Sequence, residues 1–366
     1  MRIGLFTDLY PPYVGGQQTR FRELATRLAA RGHEVHVYCV GHAEDQLAEE
    51  VLDGVTIHRF PRTSGYERPL ITYTQRAVLP TLRYALWVRR VARDEGFDFV
   101  YYNQWPLAHV LVAPRSVRSR AAIDWCELRS GFPNAQAQRF LPRRVSRNFC
   151  VNRALAKRLT ELAGAPVDYL PSGVATEHYH SNEQSQRAGL LFMGRLVYNK
   201  NIPLLVQSFG RYREMGHAGE LTIVGDGPLR AELEGELARL PAEARNAVRV
   251  IPYVSEEEKI ELLASSRVLL LPSRREGFPN VVAEAMASGL PVVTVSILDN
   301  GTKDVVGEYG IGVVTDPVPD AVAKGIVRAE ANWRHYSERG LAAADSIHWE
   351  RIVDQLLLVG EDALVR

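Results

Sequence analysis

The chain has 366 residues, with 46% hydrophobic and 24% charged side chains and a formal net charge of +1 at pH 7. Because a single hydrophobic core stops growing below this length, we expect two domains in an ordinary soluble globular protein. No apolar run approaches the roughly 20 residues of a membrane-spanning helix, and the start of the chain, with Asp8 and two prolines, is not typical of a signal peptide. The three cysteines form no CxxC pair, which argues against a disulfide framework or a zinc site and favours a reducing cytoplasm.

The start of the chain predicts a strand, a loop, a helix and a second strand. The strands cover Arg2–Phe6 and Glu34–Val40, and the helix covers residues 17–31 with apolar side chains on one face. Gly15 and Gly16 stand where the loop meets the helix, a place where backbone can approach a ligand closely. The spaced G-x-G-x-x-G of dinucleotide enzymes is missing, so a nicotinamide cofactor is not expected.

Strands and helices continue to alternate along the rest of the chain. The first half has predicted strands at 55–60, 97–102 and 121–127 and an Arg-rich amphipathic helix at 74–95. The second half has predicted strands at 189–194, 220–224, 248–254, 268–271, 291–295 and 311–314, and helices at 202–213, at 256–266 and from residue 348 onwards.

Charge is distributed unevenly along the sequence. Residues 1–170 hold 24 basic and 16 acidic side chains, whereas residues 171–366 hold 20 and 27. The basic excess lies between Arg59 and Arg158 and fits an anionic lipid surface or a phosphorylated compound, although Arg-rich solvated helices are an equally good interpretation. Because the second half is acidic and no recognised module appears, nucleic-acid binding is disfavoured.

The most specific signal follows the predicted strand at 268–271. A helix begins there near Pro279 and ends at Gly289, after a short loop. Such a unit directs the backbone N–H groups of the loop and first helical turn at one point, which attracts anions and hydroxyl oxygens. Glu276 and Glu284 flank that point and supply hydrogen-bond acceptors. A ligand rich in hydroxyls that also carries phosphate, such as a nucleotide sugar, fits this combination.

The segment that starts at Glu276 reads EGFPNVVAEAMASGLPVV and resembles the donor-binding segment of the family 4 retaining glycosyltransferases. Members of that family have the GT-B fold, an α/β architecture with two Rossmann-like domains that face each other across a cleft. The resemblance implies that Glu276 contacts hydroxyls of the transferred sugar and that Glu284 holds the ribose. It also implies an acceptor-binding domain at 1–170, a donor-binding domain at 171–348 and a last helix, 349–366, that packs back on the first domain.

A second segment, GRLVYNKN, resembles the Gly-Arg-x4-Lys motif of the same family. The resemblance implies that Arg195 and Lys200 hold the donor's diphosphate and that Gly15 and Gly16 lie against the phosphates and the sugar. Negative charge grows on the diphosphate as the glycosidic bond breaks, and cations placed to meet that charge lower the barrier. The strand at 248–254 is expected to hold the base through backbone groups at its end.

The resemblance assigns roles to individual residues. The implied catalytic residues are Glu276, Arg195, Lys200 and Cys126. The implied donor-binding residues are Gly15, Gly16, Gly194, Arg195, Lys200, Tyr253, Val254, Glu276, Gly277, Phe278, Pro279, Asn280, Val281 and Glu284. Acceptor binding is expected from Gln17, Arg20 and Glu127, and around residues 60–75 and 127–147 of the first domain. No metal site and no cofactor are implied, because the UDP-, GDP- or dTDP-linked donor is a substrate.

Position 126 departs from the family pattern. Many members carry a histidine there, beside the sixth carbon of the transferred sugar, and this sequence has Cys126 instead. Cysteine is a poor hydrogen-bond donor, so three interpretations stay open. The donor lacks a hydroxyl at that carbon, as a 6-deoxy sugar or pentose does; Glu127 or Asp124 replaces the contact; or the alignment is shifted. A cysteine nucleophile is not expected, because no histidine lies near Cys126 in the sequence.

Together these features resemble a cytoplasmic, metal-independent retaining glycosyltransferase, peripheral at the inner face of the cell membrane if its basic domain contacts lipid. Transfer is expected by front-face displacement, in which the departing diphosphate accepts a proton from an acceptor hydroxyl of a glycan, lipid or small molecule. The alternatives are a sugar-nucleotide epimerase on the same scaffold and a nucleotide-sugar-binding protein without catalysis. A pyridoxal-phosphate-dependent phosphorylase is not expected, because none of the five lysines stands in a recognisable setting.

Overall fold

A computed structural model describes residues 1–13, 15–42, 46–61, 77–129 and 131–364. Of these, residues 362–364 are described as backbone only. The chain divides into two compact units, and each is described by itself. The first unit comprises Met1–Pro171 and Trp349–Arg366, and the second comprises Ser172–His348. The division falls one residue after the expected domain boundary at 170/171.

The first unit is built on an eight-stranded sheet. Its strands are β1 (Arg2–Phe6), β2 (Glu34–Val40), β3 (Glu49–Leu52), β4 (Val55–Phe60), β5 (Phe99–Asn103), β6 (Ala121–Trp125), β7 (Arg147–Cys150) and β8 (Asp168–Tyr169). Their order is β3-β4-β2-β1-β5-β6-β7-β8, and neighbours are parallel except for the antiparallel pair β3–β4. The direction of winding reverses between β1 and β5, so the carboxyl ends of these strands form the switch point where α/β sheets bind ligands.

Helices cover this sheet and bury its apolar side chains. They are α1 (Gly16–Ala30), α2 (Val78–Asp94), α3 (Leu107–Leu111), α4 (Asn134–Phe140), α5 (Arg153–Ala163) and the last helix of the chain (Trp349–Leu364). Helix α5 begins at Asn152, whose side chain accepts hydrogen bonds from the first helical turn, and ends at Gly164 in the left-handed conformation. In the core, the ring of Phe6 stacks on those of Tyr38 and Tyr102, with centroids 5.1 and 5.2 Å apart.

The second unit is built on a six-stranded parallel sheet. Its strands are β9 (Leu190–Met193), β10 (Leu221–Val224), β11 (Val248–Ile251), β12 (Val268–Leu271), β13 (Val292–Val295) and β14 (Gly312–Thr315). The order β11-β10-β9-β12-β13-β14 is that of a Rossmann sheet, with its switch point between β9 and β12. The predicted class, α/β with two Rossmann-like domains, is therefore confirmed.

Helices also flank the second sheet. They are α6 (Ile202–Glu214), α7 (Arg230–Ala238), α8 (Ala242–Asn246), α9 (Glu256–Ser265), α10 (Asn280–Ala287), α11 (Thr302–Tyr309), α12 (Pro319–Ala331) and α13 (Trp333–Ser346). Helix α9 opens with a capping box between Ser255 and Glu258. Helix α10 is followed by Gly289 at φ +60°, where a Cβ would lie 2.5 Å from the Ser337 hydroxyl oxygen, so only glycine fits this position.

Two elements of the first unit differ from the sequence prediction. Strand β3 was not predicted, because its residues EEVL are charged and lie at the exposed edge of the sheet. Its hairpin with β4 turns at Asp53 and Gly54, both with positive φ, and this Asp-Gly pair is the sequence signal that identifies such a turn. The predicted helix at 74–95 begins at Val78 in the structure, and residues 74–76 lie outside the described residues.

A buried arginine holds two helix ends of the second unit together. Arg187 donates to the carbonyl oxygens of Leu263 and Ser266 at the end of α9, each at 3.1 Å, and of Ser288 at the end of α10, at 2.5 Å. Its guanidinium also lies 5.0 Å from the centre of the Trp333 ring. A cation at helix carboxyl termini is favourable because it offsets the negative end of each helix dipole. The contact with Ser288 fixes the carboxyl terminus of α10, and the segment from Glu276 lies at the amino terminus of the same helix.

Candidate active site

The loops that leave β9 and β12 meet at the switch point of the second sheet. Strand β9 runs directly into Gly194, whose N–H donates to Val224 O at 2.9 Å. A Cβ at Gly225 would lie only 2.1 Å from Gly194 O, so the neighbouring turn after β10 requires glycine. This close approach brings the Gly-Arg-x4-Lys segment against the sheet edge where β12 ends.

Backbone contacts join the two loops. Arg274 N donates to Asn199 O at 2.7 Å, and the Asn201 side chain donates to Pro272 O at 3.2 Å. Asn201 has φ +57°, a left-handed conformation that asparagine tolerates, and it starts α6. The Arg274 guanidinium lies 4.8 Å from the centre of the Tyr198 ring. The two loops therefore form one surface rather than two separate turns.

Lys200 and Glu276 form an ion pair on this surface. Lys200 Nζ lies 2.7 Å from Glu276 Oε1, and the two side chains are 14% and 17% exposed. The resemblance to the family implies that Lys200 contacts the diphosphate of the donor and that Glu276 contacts its sugar. The structure places the two side chains in contact although the residues are 76 positions apart in the chain. At this distance the two opposite charges offset each other.

The loop after β13 holds the backbone of Glu276 in place. Glu276 N donates to Asp299 O at 3.1 Å, and Gly301 N donates to Glu276 O at 2.8 Å. The fully buried Asn300 side chain supports that loop by donating to Thr294 Oγ1 at 3.1 Å and Val295 O at 2.8 Å. The sequence did not predict that this loop holds Glu276, because no pattern in residues 296–301 indicates that they pair with the loop after β12.

The amino terminus of α10 follows directly. Pro279 is its N-cap, no side chain caps the helix and its first turn holds no acidic residue. Phe278 is buried, and its carbonyl oxygen accepts a hydrogen bond from Ser172 Oγ at 3.1 Å. Gly277, Asn280 and Val281 complete the segment, so the predicted donor-binding residues 276–281 are contiguous at the positive end of a helix.

Glu284 lies one turn further along α10 and pairs with a lysine from α9. Lys259 Nζ lies 3.1 Å from Glu284 Oε1, and the two side chains are 16% and 17% exposed. Burial raises the pKa of the Glu284 carboxyl above its ordinary value, and Lys259 opposes that rise. Burial also lowers the pKa of the Lys259 ammonium, but Glu284, Tyr179 and Glu256 together outweigh it, so the net pKa of Lys259 is raised. Lysine 259 was not predicted.

The other predicted donor contacts lie on the exposed part of the second unit. Arg195 is exposed, and among the described residues no carboxylate pairs with its guanidinium. Tyr253 follows β11 and is 83% exposed, and Val254 beside it is half-buried. These side chains are available to a ligand, but their predicted roles stay predictions.

In the first unit the glycine pair begins α1. Gly15 has an extended backbone, and a Cβ there would lie 2.2 Å from the Gln18 side-chain oxygen. Its carbonyl oxygen accepts from Thr19 N at 3.0 Å, so Gly16 is the first residue of the helix. The Gln17 amide nitrogen is buried and has no hydrogen-bond partner in the part of the chain that the structure describes. An added ligand oxygen would satisfy it.

Arg20 has a different environment from the one predicted. Its buried guanidinium binds the Asp124 carboxylate at 2.6 and 3.0 Å and also donates to Pro171 O and Leu170 O. Such a bidentate buried pair needs all of its hydrogen bonds to offset desolvation. This placement argues against a direct acceptor contact by Arg20, whose guanidinium binds both oxygens of the Asp124 carboxylate.

Cys126 lies directly after β6 and is held by Gln104. The Gln104 side-chain oxygen accepts from Cys126 N at 3.0 Å, from Cys126 Sγ at 3.2 Å and from Glu127 N at 3.1 Å. Burial, with the nearby carboxylates Glu127 and Asp124, raises the pKa of the Cys126 thiol well above its ordinary value. The thiol is therefore protonated near neutral pH, which agrees with the expectation that it is no nucleophile.

Glu127, the third predicted acceptor residue, forms an ion pair with Arg129. Arg129 Nη2 lies 2.5 Å from Glu127 Oε1, and the Arg129 guanidinium stacks 4.3 Å from the centre of the Trp105 ring. Gln104 and Trp105 were not predicted, although both follow β5, at the same sheet edge as β6. Of the expected acceptor region 60–75, residues 62–75 lie outside the described residues.

An α/β sheet that presents paired cations and carboxylates at its switch point is suited to a polar, phosphorylated ligand. Two family models match this chain one after the other. The model for Glycosyltransferase Family 4 matches residues 14–178, and the model for Glycosyl transferases group 1 matches residues 175–344. The chain belongs to the family 4 glycosyltransferases.

Similar proteins cover the chain almost completely. It is 26% identical to the GDP-mannose-dependent alpha-(1-6)-phosphatidylinositol dimannoside mannosyltransferase of Mycobacterium tuberculosis, over 98% of this chain and 95% of the relative. The structure of sucrose-phosphate synthase from Thermosynechococcus elongatus matches with TM-score 0.79 at 18% identity, over 100% and 99% of the two chains. Anabaena HepE in complex with UDP and glucose matches with TM-score 0.73 at 16% identity, over 99% and 100%.

These likenesses confirm the GT-B fold and the enzyme class. The solved structures are below 25% identity and bear on the fold, while the family models and the named relatives bear on the activity. The protein is a glycosyltransferase that uses a nucleotide-sugar donor.

Proposed function

We propose that this glycosyltransferase retains the anomeric configuration and transfers a sugar from a nucleoside-diphosphate sugar to an acceptor hydroxyl, without a metal ion or cofactor. The Lys200–Glu276 pair at the switch point carries this proposal. It places a cation for the diphosphate and an acceptor for sugar hydroxyls within one hydrogen bond of each other. A cation that meets the leaving group does what a divalent metal ion does elsewhere, so the proposed reaction needs none.

The proposed reaction is front-face displacement. The bond between the sugar's anomeric carbon and the diphosphate oxygen breaks, and the acceptor oxygen bonds to that carbon from the same side. The departing diphosphate accepts the acceptor's hydroxyl proton. Lys200 and Arg195 offset the charge that grows on the diphosphate, while Glu276 and the amino terminus of α10 orient the sugar. Glu284 holds the ribose.

Acceptor-dependent nucleotide release tests this proposal. The purified protein is incubated with UDP-, GDP- and dTDP-linked sugars, with and without saccharide or lipid acceptors, in the presence of EDTA. We expect nucleotide release only with an acceptor, and a product whose anomeric proton coupling matches that of the donor. Lys200→Ala and Glu276→Ala should each remove most of the activity in a folded protein. An inverted product, or near-normal rates in both variants, contradicts the proposal.

The donor sugar is proposed to lack a hydroxyl at its sixth carbon, as a 6-deoxy sugar or pentose does. Cys126 supports this, because its thiol faces Gln104 and is a weak donor, so a sixth hydroxyl would lack its partner there. Turnover of GDP-linked D-rhamnose, which is 6-deoxy-D-mannose, should then exceed that of GDP-linked D-mannose. A strong preference for the hydroxylated sugar rules this donor class out, and the position of Glu127 next to Cys126 then becomes the better explanation.

The acceptor is proposed to be a glycan, lipid or small molecule that binds the first unit. The unsatisfied amide of Gln17 supports a polar contact near α1. The name of the mycobacterial relative includes a phosphatidylinositol dimannoside, which makes a lipid-linked saccharide the first candidate acceptor to assay. Gln17→Ala should raise KM for the acceptor and leave KM for the donor unchanged.

Peripheral contact with an anionic membrane, in the cytoplasm, is also proposed. Arg118 lies near Arg144, Arg115 and Arg89, and burial together with these charges lowers its pKa. Within the described ranges no carboxylate pairs with these four arginines. Exposed apolar side chains lie on the neighbouring helices α2 and α3: Leu79, Leu82, Leu86 and Leu111. No helix in the described part of the chain is long and apolar enough to span a bilayer.

Vesicle co-sedimentation tests the membrane contact. The protein should bind vesicles that contain phosphatidylserine and leave neutral vesicles unbound. Because each arginine near such a surface contributes about 1 kcal/mol, Arg118→Gln with Arg144→Gln should weaken binding about thirtyfold. Equal binding of this double variant contradicts the contact.

The comparisons give no support to an epimerase or to a binding protein without catalysis.

A further inference from the structure

We infer that Lys259 is a positioning residue for the donor's ribose, because it keeps Glu284 ionised and fixes the carboxylate oxygen that faces the ribose hydroxyls. The inference rests on the proposed role of Glu284. It adds residues that neither the sequence resemblance nor the comparisons assign, Lys259 and the neighbouring Tyr179.

The geometry around Glu284 is specific. Lys259 Nζ donates to Oε1 at 3.1 Å, and an ionised carboxylate can accept further hydrogen bonds beside this one. The lysine also pairs with the exposed Glu256 at 2.6 Å, and its ammonium lies 6.0 Å from the centre of the Tyr179 ring. Tyr179 acts on Glu284 as well and helps to hold its pKa down. The carboxylate is thus held from α9 and from the segment before β9.

Lys259 has a local partner within α9, the exposed Glu256 three positions before it. It occupies the fourth position of α9, near the amino terminus, where a cation opposes the helix dipole. Glu256, Glu257 and Glu258 already occupy the favourable first turn. The partner that distinguishes Lys259 is the buried Glu284 on the next helix. A helix pair three positions apart contributes only weakly to helix stability, so the pair with Glu284 is the stronger reason for a lysine at this position.

The electrostatics of Glu284 make such a partner necessary. Burial favours the protonated carboxyl, which is uncharged and turns one of its acceptor positions into a donor. Two neighbouring ribose hydroxyls are best bound by an ionised carboxylate that accepts from both. Lys259 and Tyr179 favour the ionised form, and Glu256 opposes it. Without Lys259 the pKa of Glu284 would rise further and the ionised fraction near neutral pH would fall.

Calorimetric titration separates this role from a structural one. UDP and GDP, and the 2′,3′-dideoxy form of whichever binds, are titrated into wild type, Lys259→Met and Lys259→Arg between pH 6.0 and 8.5. Lys259→Met should weaken binding of the ribonucleotide about tenfold at pH 7, the loss expected if only about a tenth of the variant protein has Glu284 ionised. Binding should recover as the pH rises, because Glu284 then ionises.

The comparison ligand and variants make the outcome decisive. The dideoxy nucleotide should bind wild type and Lys259→Met alike, and Lys259→Arg should resemble wild type. In a Glu284→Gln background, Lys259→Met should have no further effect, because a neutral amide needs no counter-charge. The exposed Lys324→Met is the matched control and should change nothing.

Contrary results are equally clear. An equal loss for the ribonucleotide and the dideoxy nucleotide, or a loss that does not depend on pH, overturns the role of Lys259. If Lys259→Met does not fold, Lys259→Gln takes its place in the same cycle, because additive effects of Lys259→Gln and Glu284→Gln on binding contradict coupling. Failure of wild type to bind any nucleoside diphosphate would overturn the proposed function itself, before any variant is compared.

Discussion

At the scale of single residues, the two charges of the proposed donor site, Lys200 and Glu276, pair with each other. Lys200 and Glu276 are mostly buried, so their attraction is screened less than that of a surface pair. A diphosphate that binds Lys200 must draw it away from Glu276. The carboxylate is then left for the sugar hydroxyls, so the pair couples the two halves of the donor.

This coupling predicts opposite effects of one substitution on two ligands. Glu276→Gln removes the competitor of the diphosphate, so a nucleoside diphosphate without sugar should bind about three- to tenfold more tightly. Transfer should slow by about tenfold or more, because the sugar loses a hydrogen bond to a charged acceptor. Calorimetry and a steady-state assay measure the two effects.

The matched control for this prediction lies outside the site. Asp304→Asn removes a half-buried carboxylate that pairs with Lys303 at 3.3 Å, and it should leave both measurements unchanged. Weaker binding of the nucleoside diphosphate to Glu276→Gln would show that Glu276 and the diphosphate do not compete for Lys200.

A second residue-scale prediction concerns the buried Arg20–Asp124 pair. Arg20→Met leaves the Asp124 carboxylate buried without its cation, and we expect the free energy of unfolding to fall by about 3–5 kcal/mol. Chemical denaturation followed by circular dichroism measures this. Arg22→Met is the control, because Arg22 is exposed and lies 3.7 Å from the exposed Asp53. A loss below about 1 kcal/mol in Arg20→Met, the range of surface pairs, would contradict the structural role given to Arg20.

At the scale of elements, the site depends on where α9 and α10 end as well as on where α10 begins. Arg187 bridges their carboxyl termini, and burial lowers its pKa to about 10. No acid partners it among the contacts of the described residues, so its charge is balanced by carbonyl oxygens. This explains how a short helix such as α10 keeps its direction.

Removal of this bridge should destabilise the second unit. Arg187→Met leaves the carbonyl oxygens of Leu263, Ser266 and Ser288 buried without a donor, and the expected loss in free energy of unfolding is about 3 kcal/mol or more. Thermal or urea denaturation measures it. The exposed Arg334→Met on α13 should stay within about 0.5 kcal/mol of wild type. Equal stability of the two variants would mean that water or local shifts replace the bridge.

The sequence predicted these elements well where apolar runs are long and poorly where contacts are tertiary. Strand β12 and helix α10 follow from VLLL and from the Pro and Gly that flank the helix, and Glu276 and Lys200 follow from motif spacing. Lys259 and Gln104 do not, because each acts on a residue 22 or more positions away. The sequence signal for β3 was the Asp-Gly turn that follows the strand. Its charged residues do not show the apolar pattern from which strands are predicted.

At the scale of the whole molecule, each unit has its own sheet, core and switch point. The fold class could be predicted from alternating strands and helices, because that pattern allows few other arrangements. The individual contacts at the switch points could not, because the order of strands in a sheet is a tertiary property. In the second sheet that order places β9 beside β12, which brings the two donor-site loops together.

Hydrogen exchange should reveal this organisation. A bound nucleoside diphosphate is expected to slow amide exchange in residues 194–201 and 272–281, because these segments supply the proposed contacts. Helix α5 in the first unit should exchange at an unchanged rate. Protection confined to the first unit would contradict the assignment of the donor site to the second.

The most direct test is a crystal structure with a bound nucleoside-diphosphate sugar. The account predicts Lys200 Nζ and Arg195 within hydrogen-bond distance of the diphosphate, Glu276 turned from Lys200 to the sugar hydroxyls, and Glu284 on the ribose. A ligand bound away from the amino terminus of α10, or one bound while Lys200 and Glu276 stay paired, would contradict it.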